Sequence, residues 1–441
     1  PTGSHQLRFS FIGYASQTIA ITTNGDSALA LHIALHPETI ALSAMTVTPG
    51  RFAIMGDAPP SHQTLTQEEI QSIPQFGDDI FRSVTRLPGV AGSDYSARFA
   101  VRGGDNDQVL VRIDGVELYD PFHLKDINGG ALSIIDVNLI AGIDLLTGGF
   151  PAEYGQRMSG VFDVKTATPT PGSRRIGLGL SITNTRLLAE GANERSAWLF
   201  SARRGYLDLV FALMGEDEEF SPTYYDAFAK HHYKISDRHQ LQTSLLYSRD
   251  DLDFVEDDAD VSNTGYDNIY LWTALASTLS PQLFVRSTLS GGRVTHDRRG
   301  SAFFGDSNIF DFQIRDKRHF NFLSLRQDWN FSPSDRHYLK WGFDLRRLDA
   351  AYDYLSEQRQ FARGANGVQQ SRLDTTRIDA QPTANMASLY AADRVRLYGP
   401  LTGEFGLRYD GASHSNDHHF SPRINLVYSI KRRTSLGAAW G

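Results

Sequence analysis

Apolar and polar residues alternate in short runs from Ile176 to the end of the chain. In one such run Leu339, Trp341 and Phe343 are separated by polar or small residues. A repeat of two residues is that of a β-strand with one apolar and one polar face. We count about twelve such strands, and no helix is predicted between them.

The predicted strands are joined alternately by short turns and long connections. Turn residues occur at positions 236–238, 280–281, 332–335, 399–400 and 431–433. The long polar connections span positions 249–268, 291–317, 352–384 and 411–420. Strands of about ten residues joined in this way are typical of bacterial outer-membrane barrels, because a sheet inside a bilayer must pair all its backbone groups. The pattern therefore predicts a transmembrane antiparallel β-barrel.

Aromatic residues fall near the ends of the predicted strands. They are Tyr247, Tyr270, Trp272, Trp329, Tyr338, Trp341 and Trp440. Amphipathic rings at such places suit the headgroup layer of a membrane. A buried soluble core uses the same residue types, so both interpretations stay open.

Two regions with other patterns precede the barrel. Residues 6–21 alternate around a turn near Gly13, and a short strand is predicted over 28–35, which together indicate the end of a small β-sandwich. From residue 65 short amphipathic helices are predicted, with Thr64 as the first cap, and β-rich runs broken by glycine follow. The predicted domains are a β-sandwich remnant (1–43), a linker (44–63), a mixed α/β domain (64–168) and the barrel (169–441).

Composition narrows the class of protein further. The 441 residues include 43 Lys or Arg and 51 Asp or Glu, and there is no basic stripe of the kind that nucleic acid binding needs. The absence of cysteine from the sequence excludes a disulfide scaffold, thiolate metal sites and a cysteine nucleophile. The most apolar long stretch, 131–150, is interrupted by Asp136, Asn138 and Asp144, which argues against a membrane-spanning helix. The opening Pro-Thr-Gly-Ser-His does not begin a signal peptide.

Six short motifs follow one another in the α/β domain. They are Leu-Pro-Gly-Val (87–90), Val-Arg-Gly-Gly (101–104), Val-Leu-Val-Arg-Ile-Asp-Gly-Val (109–116), Ile-Ile-Asp-Val (134–137), Leu-Leu-Thr-Gly-Gly-Phe-Pro-Ala-Glu-Tyr-Gly (145–155) and Ser-Gly-Val-Phe-Asp-Val-Lys-Thr (159–166). In order and spacing they resemble the plug of TonB-dependent outer-membrane receptors. Residues 201–208 resemble an early barrel strand of such receptors, and residues 9–14 resemble the last strands of a carboxypeptidase-regulatory-like domain. The resemblance implies a barrel of about 22 strands around the plug. About twelve of these strands are expected in this sequence, which stops inside an apparent strand.

The plug motifs contribute the first set of candidate site residues. These are Arg102, Gly103, Gly104, Asp114, Gly115, Gly148, Gly149, Tyr154 and Gly155. Glycine pairs allow tight backbone conformations, and Asp-Gly is a strong turn dipeptide. An architectural role and a role in ligand contact are both open for the glycines. Inward-facing charged residues are expected to hold the plug, namely Arg203, Arg346, Arg408, Asp410 and Arg423.

A loop after one plug strand is the candidate for the substrate side. It contains Tyr119, Asp120, Phe122 and His123. Aromatic rings with polar tips make good ligand platforms, and the resemblance implies that plug loops at this level can face the external vestibule. The alternative is that the loop packs against the barrel wall.

A second candidate segment precedes the plug. Met45, Thr46, Val47 and Thr48 resemble the TonB box, which the TonB protein captures by strand addition. A β-branched run with modest side chains suits such capture. The alternative is the last strand of the preceding domain.

The resemblance implies energy-coupled uptake of a scarce solute across the outer membrane of a Gram-negative bacterium. The expected partners are TonB, outer-membrane lipid and an unknown small solute, with the N-terminus in the periplasm. Siderophore, cobalamin, glycan and peptide stay open as solute classes. The alternatives are a passive channel or adhesin and an outer-membrane barrel enzyme.

No catalytic residue, cofactor or metal site is expected. The acidic run at 250–260 and a cluster of histidines and acids at 414–419 lack a ligand spacing that specifies a metal, and both are interpreted as solvated loops. Gly-Asp-Ser at 25–27 and at 305–307 is interpreted as a turn in each case.

Overall fold

The computed structural model consists of two units, Pro1–Val47 and Thr48–Gly441. It describes residues 3–9, 17–23, 33, 62–73, 79–93, 96–126, 129–156, 159–181, 183–215, 220–257, 260–304, 309–363, 369–431 and 434–441. In the first unit, strands β1 (Gly3–Phe9) and β2 (Gln17–Thr23) pair antiparallel. The predicted strand at 28–35, apart from residue 33, and the TonB-box candidate Met45, Thr46, Val47 and Thr48 lie outside the described residues.

The α/β domain, which we call the plug, covers residues 62–166 of the second unit. Its elements are β3 (His62–Thr66), α1 (Gln67–Ser72), α2 (Ile80–Val84), β4 (Val90–Gly92), β5 (Phe99–Val101), β6 (Val109–Ile113), β7 (Val116–Glu117), β8 (Phe122–His123), β9 (Leu132–Ser133), β10 (Ile140–Leu146) and β11 (Gly160–Thr166). Five strands form one sheet in the order β3-β10-β11-β6-β7, in which β6 and β11 are parallel. Two further strand pairs, β4-β5 and β8-β9, lie beside it.

Helix α1 begins at a different cap from the predicted one. The cap is Thr66, whose side chain accepts from the backbone of Glu69 while the Glu69 carboxylate accepts from the backbone of Thr66. Such a reciprocal pair satisfies two backbone donors at the helix start. The hydroxyl of Thr64, the predicted cap, instead donates to Asp144 on the neighbouring strand β10.

A single large sheet, which we call the wall, follows the plug. Its elements are β12 (Arg174–Leu180), β13 (Asn184–Ala192), β14 (Ser196–Gly205), α3 (Leu207–Met214), β15 (Phe220–Lys234), β16 (His239–Asp257), β17 (Asp260–Ser280), β18 (Leu283–Phe304), β19 (Ile309–Phe331), β20 (His337–Arg363), β21 (Gln369–Ala380), β22 (Thr383–Tyr398), β23 (Leu401–Ala412), β24 (Asp417–Lys431) and β25 (Thr434–Trp440). Consecutive strands pair antiparallel, except that β20 pairs with β21 along one part and with β22 along another. The predicted up-and-down arrangement is confirmed.

The central wall strands are longer than the predicted ten residues. Strands β16 to β20 contain 19, 21, 22, 23 and 27 residues. Most of each predicted long connection is therefore paired strand, because polar residues continue the same ladder beyond the apolar band. The connection predicted over 411–420 is also shorter, since β23 ends at Ala412 and β24 begins at Asp417. The prediction of long unpaired loops was wrong.

Helix α3 is a second departure from the predicted wall. It lies between β14 and β15, where no helix was expected, and its eight residues include Leu209 and Leu213, both exposed. No helix among the described ranges is both long and apolar enough to cross a membrane.

Side chains on the wall strands face alternately outward and inward, as predicted. Outward-facing Leu271, Leu325 and Leu389 are 52%, 43% and 52% exposed. Inward-facing Ser244 and Asp344 are buried instead. Exposed leucines on one face and buried polar groups on the other are the arrangement expected of a sheet with lipid outside and protein inside.

The aromatic residues near the strand ends divide between the two faces. Tyr270 and Trp272 are fully buried on the inward face and belong to the apolar cluster that contains the plug core, so a headgroup position for them was wrong. Trp329 and Trp341 stack on adjacent outward positions, with ring centroids 5.9 Å apart. The alternation of faces, which is not visible from strand ends alone, decides between the two interpretations.

The outward apolar band gives a test of membrane contact. We expect Leu275→Arg, in the band of β17, to lower the free energy of unfolding in a bilayer by about 2–4 kcal/mol, because a guanidinium there must leave water. Val261→Arg, on the same strand and face but fourteen positions away, is the control and should change it by less than about 0.5 kcal/mol. Urea titrations of the receptor folded in lipid vesicles measure both. Equal effects would contradict a lipid-facing band.

Candidate functional site

One apolar cluster joins the plug to the wall. Within the plug the rings of Phe81 and Phe162 lie 5.2 Å apart between centroids, and both side chains are fully buried. The same cluster continues into the wall through Phe228, Leu246 and Trp272, none more than 1% exposed. The plug core is thus completed by wall side chains.

Asp114 connects the plug to the wall through several polar contacts. Its carboxylate accepts hydrogen bonds from the backbone and hydroxyl of Thr166, at 2.9 and 2.6 Å, and from the side chain of Gln242 at 2.8 Å. The Lys230 ammonium lies 3.9 Å away and donates to the Thr166 hydroxyl. Burial alone raises the pKa of Asp114, but Lys230 and Thr166 outweigh it, so the pKa lies below its ordinary value. Asp114 therefore stays ionised and links a plug turn to two wall strands.

The backbone of the predicted Asp-Gly turn explains why this carboxylate points at the wall. Asp114 and Gly115 have φ of 49° and 92°, a left-handed pair that glycine adopts without strain and aspartate tolerates better than most residues. The carbonyl of Asp114 also accepts from the guanidinium of Arg286 on β18 at 3.1 Å. The turn residue is thus held at the wall by its side chain and by its backbone.

His123 forms a second, fully buried attachment. Its Nδ1 lies 2.5 Å from a carboxylate oxygen of Asp250, and its Nε2 lies 3.1 Å from one of Asp226. Because both ring nitrogens face acceptors, the ring must donate from both, and only the protonated imidazolium can. Burial alone lowers the pKa of His123, but Asp250 and Asp226 raise it by more, so it lies above its ordinary value. Arg203 completes the group by donating to Asp226 at 2.7 Å and to the carbonyl of Ser133 at 2.6 Å.

The other members of the substrate-side candidate loop also contact their surroundings. The ring of Tyr119 packs against Phe320 and Phe322 of β19, with centroids 4.7 and 5.0 Å away. Asp120 pairs with Lys125, and Phe122 is buried in the plug cluster. In this structure Tyr119, Phe122 and His123 pack in the way that the alternative interpretation describes, and a role in binding solute stays a prediction.

Charged side chains of β20 and β23 form a further set of contacts with the plug. Arg346 pairs with Glu117 at 2.5 Å, and Lys340 pairs with Glu153 at 2.6 Å. Arg408 donates to the carbonyls of Ala152 and Glu153, each at 3.3 Å. Together with Arg203, the predicted inward arginines Arg346 and Arg408 thus contact the plug.

The remaining plug-motif residues support these contacts. A Cβ on Gly155 would overlap the guanidinium of Arg408, a Cβ on Gly148 would lie 2.8 Å from that of Arg102, and a Cβ on Gly104 would overlap Ser159. Gly103 and Gly149 have φ of 80° and 61°. The ring of Tyr154 lies 5.3 Å from the guanidinium carbon of Arg112. In this structure Gly104, Gly148, Tyr154 and Gly155 contact protein groups, whereas Gly103 and Gly149 are marked by backbone conformation alone. The functional role of all these residues stays a prediction.

Several wall residues of the site were not singled out from the sequence. They are Asp226, Lys230, Gln242, Arg286 and Lys340. Asp250 belongs to the acidic run interpreted as a solvated loop, and that interpretation was wrong for this residue, because it is buried on β16 against His123. The alternation of each strand could have placed them on the inward face, but not opposite a particular plug residue. Among the residues that the structure describes, no cluster of three or more His, Asp or Glu could hold a metal ion.

Both the sequence and the fold of this chain are similar to those of known proteins. A family model described as TonB-dependent Receptor Plug Domain matches residues 55–161, and one described as TonB dependent receptor-like, beta-barrel matches residues 182–441. The outer membrane transporter YddB from Escherichia coli has a TM-score of 0.60 at 15% identity, covering 84% of this chain and 59% of YddB. The siderophore receptor PiuA from Acinetobacter baumannii has 0.58 at 11%, covering 87% and 64%.

The RagAB peptide importer also matches, with a TM-score of 0.56 at 8% identity, covering 85% of this chain and 57% of that one. The chain spans less than two thirds of the length of these structures, and identities this low show the fold alone. A plug packed on an up-and-down antiparallel sheet with an apolar outer face defines the class of plugged outer-membrane barrels. Within that class, the chain belongs to the family of TonB-dependent receptors.

The Asp114 contacts predict a loss of stability on neutralisation. Asp114→Asn replaces an acceptor-only carboxylate by an amide whose NH2 must face donors, so the free energy of unfolding should fall by about 1–3 kcal/mol. Urea titration in lipid vesicles measures the change. Asp107→Asn, at an exposed plug position, is the control and should be neutral. An unchanged stability for Asp114→Asn would contradict the proposed linkage.

The His123 contacts predict a pH dependence. A raised folded pKa gives a stabilisation that is complete below the ordinary value of about 6.5 and is lost as the pH rises through the folded value. Stability should therefore decline on the alkaline side, and His123→Gln should remove that part of the decline. The measurement is the free energy of unfolding from about pH 6 to pH 10. His231→Gln, at an exposed wall position, should keep the native pH profile.

Proposed function

We propose that this chain acts in the energy-coupled uptake of a scarce solute across the outer membrane. The observation that carries the proposal is the continuous apolar cluster that packs the plug against the wall. Wall side chains of this cluster are buried against the plug. A solute that crosses must therefore displace part of the plug from them. Separating packed apolar surface in water is unfavourable, so passage needs work from another source.

The source of that work is proposed to be TonB, acting from the periplasm. Membership of the TonB-dependent receptor family supports this partner. The proposed capture site is the segment of Met45, Thr46, Val47 and Thr48, within a linker at 44–63 that joins a β-sandwich remnant (1–43) to the plug (64–168). The barrel portion (169–441) carries the outer-membrane contact, and the N-terminus lies in the periplasm.

The solute is proposed to bind on the side of the plug that carries the 119–123 loop. Tyr119, Asp120, Phe122 and His123 lie among wall residues of β15 to β19, so movement of solute-contacting groups there would reach the plug attachment directly. The neighbouring structures named above concern a siderophore receptor and a peptide importer. Siderophore, cobalamin, glycan and peptide are the solute classes to be screened.

Uptake by cells with and without TonB tests the proposal. Radiolabelled ferric siderophores, cobalamin, oligosaccharides and peptides are supplied to cells that express the receptor as its gene encodes it. We expect one class to enter only when TonB is present, and Val47→Pro to abolish that entry because proline removes a backbone donor. Val47→Ile keeps a β-branched extended segment and should transport normally. Entry that persists without TonB would refute the mechanism.

A further inference from the structure

The wall contacts the plug through two faces of different chemistry. We call the first the seated face: it lies on β13 to β17 and consists of Leu188, Leu199, Phe228, Leu246, Tyr270 and Trp272. We call the second the charged face: it lies on β19 to β23 and consists of Arg326, Lys340, Asp344, Arg346 and Arg408. The two faces belong to the same sheet and hold the same plug.

The seated face is dry. Its six side chains are between 0% and 8% exposed and form one cluster with the plug core. The ion pairs beside it are equally buried, since His123 is 0% exposed and Arg203, Asp226 and Asp250 are 3% exposed each. Separating the plug here would expose apolar surface and strip partners from charges that have no access to water.

The charged face is less completely buried than the seated face. Lys340 and Glu153 are 25% and 17% exposed, and Arg346 and Glu117 are 16% and 10% exposed. A cavity of about 20 Å³, room for one water, lies between Glu153, Arg346, Glu117 and the small plug residue Gly155. The charged residues make contact through the ends of long side chains, whereas Phe320 and Phe322 on β19 pack their rings on Tyr119.

The difference in burial decides which face separates first. Water can take over the hydrogen bonds of charged side chains that it already reaches, such as Lys340 at 25% and Glu153 at 17% exposed, so their separation costs less than the exposure of packed apolar side chains. Water cannot replace the contacts of packed leucine and aromatic side chains, because their apolar surface would become exposed. The plug is therefore held more firmly at the seated face than at the charged face, where water can replace its contacts.

We propose that solute passes between the plug and the charged face, while the plug stays on the seated face. The proposal rests on the uptake function above and adds the route. The lining carries guanidinium, ammonium and carboxylate groups, which fits a polar, water-soluble solute. Toward the long hairpins the route is closed by Tyr119 packed on Phe320 and Phe322, so these rings must part as well.

A cysteine-free chain allows each face to be probed by a single thiol. Ser244→Cys on β16 reports the seated side and Ser324→Cys on β19 reports the charged side, and both native serines are buried and face inward. The receptor in lipid vesicles is treated with a hydrophilic maleimide in urea below the midpoint of unfolding. We expect modification at Ser324→Cys to accelerate at least about tenfold more than at Ser244→Cys. Equal acceleration, or faster reaction at Ser244→Cys, would overturn the proposal.

Reducible tethers test whether the opened face conducts. Glu153→Cys with Lys340→Cys ties the plug to the charged face, and Asp136→Cys with Ser201→Cys ties it to the seated side, where the native pair lies 2.9 Å apart. Each pair is joined by a short reducible bis-thiol reagent, and the KCl current is recorded in planar bilayers in the same urea. We expect the first tether to suppress the current about tenfold, reversibly with a reductant, and the second to change it less than about twofold.

A current that survives the first tether, or is abolished by the second, would overturn the route. The route would also be overturned if the untethered receptor carried no current at a urea concentration at which Ser324→Cys is modified. These readouts need neither TonB nor an identified solute. TonB-independent uptake by the native receptor would refute the proposed function alone, so the two failures can be told apart.

Discussion

Two different surroundings on the two sides of one sheet are the constraint on which the rest of this structure depends. Each wall strand places successive side chains on opposite faces, so a strand such as β17 can expose Leu271 outward and bury Trp272 inward. Backbone hydrogen bonds run between neighbouring strands and leave side chains free to match lipid on one face and the plug on the other. Any shift of register by one residue would exchange the two sets.

The plug depends on that sheet as much as the sheet depends on the plug. Phe81 and Phe162 form a core that wall residues complete, and Asp114 finds partners on three separate strands of the wall. Buried polar groups of this kind are costly unless each donor and acceptor is matched. The matched groups therefore orient the plug, while the apolar cluster supplies most of the attachment.

Unequal burial around the plug connects this architecture to transport. A plug held equally on all sides would have to be removed as a whole, whereas one held by buried apolar side chains on β13 to β17 and by less completely buried charges on β20 and β23 can separate on one side. The buried His123 group lies on the firmly held side, and His123 itself belongs to the loop proposed to meet the solute. The proposed solute-side loop and the plug attachment therefore share a residue.

The class of fold follows from the sequence alone, because the alternation of residues and the turn chemistry are local and do not depend on how the strands pair. The sequence identified the plug through ordered motifs and placed Arg203, Arg346 and Arg408 on an inward face. It did not determine strand length, since polar residues pair in a ladder as readily as they form a loop, or the capping of α1 by Thr66 rather than Thr64. Only the tertiary structure decided that His123 meets Asp226 and Asp250, and that Tyr270 and Trp272 face the plug. Those contacts join residues more than a hundred positions apart, and no local pattern specifies which inward positions will face each other once the sheet curves around its plug.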